Sequence, residues 1–183
     1  MSIDPNAPNV TDSGEQNAGR IVLLNGPPSS GKSSLTRALQ AALPTPWFHR
    51  SLDDFLAGYQ DRWLVVDDGS LFNRVMAGYL GSLRQLALAG NDILAEAVIT
   101  PSRRALYQTQ LTGLSVTMIA VRCSYEEALR RERQRGDRRG GPIDLPADEF
   151  HAVYEGLVYD VEVDTESSNP EQLAEWVAQQ LSR

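Results

Sequence analysis

The residues with the clearest chemical potential are Gly26-Pro27-Pro28-Ser29-Ser30-Gly31-Lys32-Ser33, followed by Ser34, which fit the pattern G-x-x-x-x-G-K-[ST]. Glycines at both ends let the backbone turn sharply and aim its N–H groups inward. A helix that follows adds the positive end of its dipole, so phosphate oxygens are held without side-chain bulk. In such a loop Lys32 reaches the β- and γ-phosphates of ATP, and Ser33 offers its hydroxyl to Mg²⁺. A glycine-rich turn could match the pattern by accident, but the apolar run Ile21-Val22-Leu23-Leu24 before it and helical sequence after it supply the strand–loop–helix setting that the chemistry needs. The motif specifies binding of nucleotide phosphates and not their use, since switch proteins and motors carry it too.

Transfer of the γ-phosphoryl to an acceptor also needs a group that orients and deprotonates the attacking hydroxyl. Asp53 stands where the second strand ends, on the side of the sheet where ligands gather in open α/β folds, and is the candidate base. The alternative is that Asp53 or its neighbour only caps a helix, and Asp54 is assigned the cap. Glu96 lies inside the apolar run Ile93-Leu94-Ala95-Glu96-Ala97-Val98, where an unpaired carboxylate is costly. It either holds a water on Mg²⁺ or pairs with a buried cation. Arg130, Arg131, Arg133, Arg135, Arg138 and Arg139 crowd a segment ending in Gly140-Gly141. Some are solvated helix residues that pair with Glu126, Glu127 or Glu132. Arg135 and Arg138, inside the glycine-rich stretch, are assigned to a lid that holds phosphate oxygens. His49 and His151 lie far apart without a cysteine cluster and read as ordinary polar residues. Trp47, Phe48, Phe55, Tyr59, Trp63 and Phe72 bracket Asp53, and core is the expected place for most of them.

The elements that must position these groups follow from the alternation of short apolar runs with amphipathic stretches, the pattern of βα units around a mostly parallel sheet. Five strands are expected at Ile21 to Leu24, Trp47 to Leu52, Asp92 to Val98, Ser115 to Val121 and Val161 to Val163. Helices are expected at Ser33 to Leu43, Leu71 to Ala89, Ser102 to Leu111, Tyr125 to Arg133, Pro146 to Leu157 and Pro170 to Leu181. The last has the clearest start: Asn169 as cap, Pro170 at the first helical position and Glu171 at the positive end. Residues 1–19 are polar, carry almost nothing to bury and read as a mobile tail. A single catalytic domain spans 20–183, with its arginine-rich lid near 130–142.

With 24 acidic against 17 basic residues and a net charge of -7, the chain lacks the positive field that holds a nucleic-acid backbone. The one cysteine, Cys123, cannot form an intrachain disulfide and reads as a buried core thiol. No apolar stretch is long enough to cross a bilayer, and the first nineteen residues lack the basic start and apolar centre of an export signal, so the expected compartment is the cytoplasm. The expected partner is a small molecule bearing a hydroxyl; the oligomeric state stays open between monomer and homo-oligomer.

These residues resemble the chloramphenicol phosphotransferase family. The resemblance runs from Ile21 to the last helix. It is carried by Ile21 to Gly26, the phosphate loop, Pro44-Thr45-Pro46-Trp47, Asp53, Val121-Arg122-Cys123, Arg135-Gly136-Asp137-Arg138 and, most specifically, the run Glu155 to Thr165. It implies a P-loop NTPase three-layer α/β fold of the nucleotide- and shikimate-kinase type, with a mostly parallel five-stranded sheet and helices on both faces. It also implies ATP as donor, an aspartate base aligned with Asp53, and Arg135 and Arg138 in the lid. Glu96 stands where the family has an aspartate, and the segment from Asp54 to about Leu71 is shorter than its counterpart near the acceptor. Chemistry therefore carries over more safely than specificity. The expected activity is ATP-dependent phosphorylation of chloramphenicol or another antibiotic alcohol. The alternatives are a kinase of a nucleoside, sugar or sugar nucleotide, and a nucleotide switch, which the missing N-K-x-D run disfavours.

Overall fold

The computed structural model describes residues 18–65, 69–134 and 146–182. Five strands form one sheet in the order β2-β3-β1-β4-β5: β1 (Ile21–Asn25), β2 (Phe48–Arg50), β3 (Ile93–Ala97), β4 (Val116–Arg122) and β5 (Val161–Asp164). All four pairings are parallel, which makes the sheet wholly rather than mostly parallel. Every residue of β1 is buried, as a central parallel strand covered on both faces requires.

Period-two alternation along β1 divides the core. Ile21 and Leu23 face helices α4 (Ser70–Leu88) and α5 (Arg104–Leu111), where Tyr79, Leu80 and Leu83 fill the layer. Val22 and Leu24 face α1 (Lys32–Ala42) and α8 (Pro170–Leu181), with Leu35, Leu39, Ala174 and Val177. The result is a three-layer α/β sandwich with strand C-termini, including those of β1 and β3, side by side at one end.

Local sequence explains where expected and observed elements differ. The second strand stops at Arg50 because Ser51 accepts a hydrogen bond from the Asp54 N–H while Asp54 accepts one from the Ser51 N–H. This reciprocal capping box starts α2 (Leu52–Leu56), so Ser51 is the cap and Asp54 its third-position partner. A second short helix, α3 (Asp61–Val65), falls in the segment between the expected second strand and the helix expected from Leu71, where no element was assigned. A 3₁₀ turn at Pro101–Arg103 precedes α5. The helix expected from Pro146 to Leu157 is only α7 (Ala147–Ala152), followed by turns in which Gly156 adopts φ 60. At α8 the expected cap holds: the Asn169 side chain accepts from the Gln172 N–H.

The aromatic residues around Asp53 mostly escape the core. Trp47 alone is buried, Phe55 and Phe72 are half-buried against the α4 layer, and Phe48, Tyr59 and Trp63 are exposed. Cys123 is also only half-buried, just past β4, and burial pushes its thiol up to about 11. Of the tail, only Ala18 and Gly19 are described, and the Gly19 N–H bonds the Ala87 carbonyl.

Asp92 ties the starts of β1 and β3 together: its carboxylate accepts from the Arg20 N–H at 2.8 Å and from the Arg20 guanidinium at 2.9 Å. Burial pushes this carboxyl upward, but the bonds from Arg20 outweigh that and hold it below its ordinary 3.8. A depressed folded-state pKa contributes stability above the unfolded value, and that contribution is lost as pH falls through the folded one. Asp92→Asn should therefore flatten the loss of thermal stability on acidification below about pH 4. The component is no more than about 1 kcal/mol, because Arg20 is half-exposed. Identical acid profiles for the two proteins would contradict it.

Candidate active site

The phosphate loop leaves β1 at Gly26 and enters α1 at Lys32. Two glycines are required by contact as well as by conformation. A side chain on Gly26 would begin 2.5 Å from the Val121 carbonyl oxygen. Gly31 holds φ 94 with Thr165 just 3.1 Å from where its Cβ would lie. Ser29 also adopts a left-handed backbone, φ 58, and its hydroxyl donates to the Glu132 carboxylate of α6 (Tyr125–Gln134). Lys32 is buried, its Nζ donating to the carbonyls of Gly26 and Pro27, each at 2.8 Å. These two bonds curl the ammonium back over the loop it follows.

Below the loop, Glu96 of β3 receives the Ser33 hydroxyl at 2.7 Å and lies 2.8 Å from His49 Nε2 of β2. Burial raises the carboxyl of Glu96, yet the bonds from His49 and Ser33 and the charge of Lys32 together hold it below its ordinary value. His49 is thus part of the site and not an ordinary polar residue. The hydroxyl and carboxylate are hard oxygen groups that fit Mg²⁺, an ion that keeps several waters and is held largely through nucleotide phosphates. Among the described residues no cluster of three or more His, Cys, Asp or Glu could hold a metal ion by itself.

Asp53 lies exposed in the first turn of α2 and, with Lys32, Ser33 and Glu96, lines a cavity of about 670 Å³. At the nucleotide end the loop residues Pro28, Ser29, Gly31 and Ser34 complete the wall, whereas Gly26, Pro27 and Ser30 stand behind them. Of the arginine cluster, Arg130 pairs with Glu127 on the solvated side of α6 and Arg133 is exposed. Arg131, given no separate role in the sequence, lines the cavity, bonding Glu127, the Thr165 hydroxyl and the Thr165 carbonyl. Arg135, Arg138 and Arg139, and with them most of the expected lid, lie outside the described residues.

The frame behind the loop involves residues to which the sequence assigned no individual role. Asn25, fully buried at the end of β1, donates to the Val153 carbonyl at 3.0 Å and the Tyr159 hydroxyl at 2.6 Å, and accepts from the Ile99 N–H at 2.9 Å. Thr165 donates to the Ser30 carbonyl at 2.8 Å. Asp160 accepts from the Met118 N–H, and Glu162 pairs with Arg122. The run Glu155 to Thr165 is therefore the strut between the sheet edge and the phosphate loop, which accounts for its specificity as a sequence signal. Asn25→Leu keeps the volume but leaves the Ile99 N–H and Val153 carbonyl buried without this partner. It should cost about 3 kcal/mol and lower the melting temperature by roughly 6–12 °C. A shift below about 2 °C in thermal denaturation would show that the network does not carry that energy.

Comparison with known proteins agrees with this geometry. A family model described as chloramphenicol phosphotransferase-like protein matches residues 19–182. A Mycobacterium tuberculosis protein, named as a proposed O-phosphotransferase, is 29% identical over 181 residues, covering 85% of this chain and 79% of its own. Among solved structures, a shikimate kinase from Acinetobacter baumannii superposes with a TM-score of 0.66 at 15% identity, covering 91% of this chain and 94% of its own. A sugar kinase from Janibacter gives 0.64 at 20% identity, covering 90% and 95%. The tunicamycin resistance protein of Deinococcus radiodurans gives 0.65 at 20%, covering 89% and 95%. The structural likenesses establish the P-loop kinase fold. Because the family match runs from just before β1 to the end of α8, the chain belongs to the chloramphenicol phosphotransferase-like family and is a phosphotransferase.

Proposed function

We propose that the enzyme moves the γ-phosphoryl group of ATP to a hydroxyl of a small molecule, with Asp53 as the base. One observation carries this reading: Asp53 shares a single cavity with the phosphate loop, so donor and acceptor can meet without crossing solvent. Asp53 accepts the acceptor's hydroxyl proton as the new O–P bond forms. The bond between the γ-phosphorus and the bridging oxygen breaks, and ADP leaves with that electron pair. Lys32 lies beside the path of the charge that develops on the phosphoryl oxygens. Ser33 and Glu96 would hold Mg²⁺, which would supply further neutralisation of the phosphate charge. Arg131 flanks the nucleotide end, and Arg135 and Arg138 are assigned to a closing lid that excludes water. The setting for this chemistry is the cytoplasm, the compartment of Mg-ATP.

The family relationship makes chloramphenicol the first acceptor to test, as an antibiotic inactivated by phosphorylation. Small-metabolite acceptors use the same machinery and differ only at the far end of the cavity. The test is incubation with Mg-ATP and a panel of chloramphenicol, tunicamycin, nucleosides, sugars and shikimate, read by mass for an added phosphoryl group. A phosphorylated product names the acceptor class. ATP hydrolysis that stays indifferent to every acceptor and rises only with a protein partner would replace this reading with a nucleotide switch.

A further inference from the structure

The acceptor end of the cavity is built from three pairs at helical spacing. Leu52 and Leu56 come from α2, Phe72 and Met76 from α4, and Arg103 and Tyr107 from the 3₁₀ turn before α5 and from α5 itself. Five of these six side chains are apolar or aromatic. The sixth, Arg103, is half-buried, with its guanidinium carbon 4.6 Å from the centre of the Phe72 ring. Its guanidinium forms no ion pair or hydrogen bond among the described residues, although Asp53 and Glu96 line the same cavity. The other arginines near the site are committed: Arg131 to Glu127 and Thr165, and Arg37 to the Ser33 carbonyl.

A guanidinium keeps its proton at physiological pH, so one that stands over an aromatic ring in a cavity, with no counter-ion among the described residues, is open to an anion that enters that cavity. Burial pulls Arg103 below its ordinary value, only partly offset by the Tyr107 phenol, which marks the charge as under-solvated. Its location points to the acceptor and not to ATP. The phosphate loop runs into α1, on the face of the sheet shared with α8, whereas Arg103 stacks on α4, on the opposite face.

We infer that the acceptor carries an anionic group, a carboxylate or a phosphate or sulfate ester, which Arg103 binds through its planar fork while the acceptor's hydroxyl is presented to Asp53. This rests on the phosphotransferase reading for the hydroxyl, and on Arg103 alone for the charge. It makes Arg103 a specificity-determining residue and makes a neutral alcohol, chloramphenicol included, the poorer acceptor.

The test pairs hydroxy acids with their neutral amides: quinate, pantoate and D-glycerate against the corresponding carboxamides. Binding is measured by calorimetry with a non-hydrolysable ATP analogue, and transfer by mass with ATP. Wild-type protein should bind the best acid about 10- to 100-fold more tightly than its amide. Arg103→Met should erase that difference, Arg103→Lys should restore part of it, and nucleotide affinity should stay within about twofold. Equal binding of acid and amide, absence of binding by every acid, or loss of nucleotide affinity in Arg103→Met overturns the inference. Transfer to neutral acceptors alone also overturns it while leaving the phosphotransferase reading intact. An acid preference erased by Arg103→Met, with no transfer to any acceptor, upholds the anion site and sinks the assignment of Asp53 as a base.

Discussion

Asp53→Ala should lower phosphoryl transfer by about 10²- to 10⁴-fold, the range set by loss of a general base, while ATP binds almost as before. The two halves of that expectation come from geometry. Asp53 sits on α2, a helix apart from the phosphate loop, and its side chain accepts none of the bonds that shape the loop. Its carboxylate contributes to α2 only as a first-turn acid, worth about 0.3–1 kcal/mol at a helix N-terminus, and Ser51 and Asp54 still close the cap. The fold should therefore survive, and Asp53→Asn, which keeps the shape, should be as inactive as the alanine variant. Transfer rates read by mass, together with ATP affinity read by calorimetry, check both halves. Full activity in either variant would remove the base from the mechanism.

Lys32→Met should produce the complementary pattern. Here transfer falls by about 10²- to 10³-fold, as when a preorganised donor to a developing charge is lost, and nucleotide affinity falls with it. The ammonium is held in place before any phosphate arrives, by carbonyls of the loop itself. Methionine fills the space but leaves the Gly26 and Pro27 carbonyls without that donor, so a stability loss of about 1–3 kcal/mol should accompany the kinetic one. Parallel ATP titrations and melting curves separate the effects. Transfer restored to normal by raising ATP alone would show that Lys32 binds the ground state and does not favour the transition state.

How far the site could be read ahead of the structure depended on the distance its information travels along the chain. The phosphate loop is one contiguous run whose residues dictate their own turn, and the strand and helix around it are equally local. The nearness of Asp53 to the loop was legible for the same reason, although it stands on α2 and not at the end of the strand. The capping box beside it was in principle legible too, since Ser51-x-x-Asp54 is a helix-start signature; choosing Asp54 as the cap extended β2 too far and hid α2. The aromatic residues nearby misled because Tyr59, in the bend between α2 and α3, and Trp63, on α3, stand out in solvent, and composition alone cannot say which way a short segment faces. His49 meets Glu96 across 47 residues, Asn25 meets Ile99 across 74, and no local pattern announces such meetings. Arg103 was invisible for a further reason: what marks it is the want of a carboxylate partner among the described residues, which only packing reveals.

The contact between Thr165 and the Ser30 carbonyl spans 135 residues of chain. A ribosome releases the phosphate loop well before Thr165, and Thr165 before α8. Until then the loop has neither the hydroxyl behind Ser30 nor the α8 layer against α1. A nascent chain thus carries the complete nucleotide-binding sequence well before it carries the residues that brace that loop from behind, so the loop gains its full support only when the chain beyond β5 has emerged.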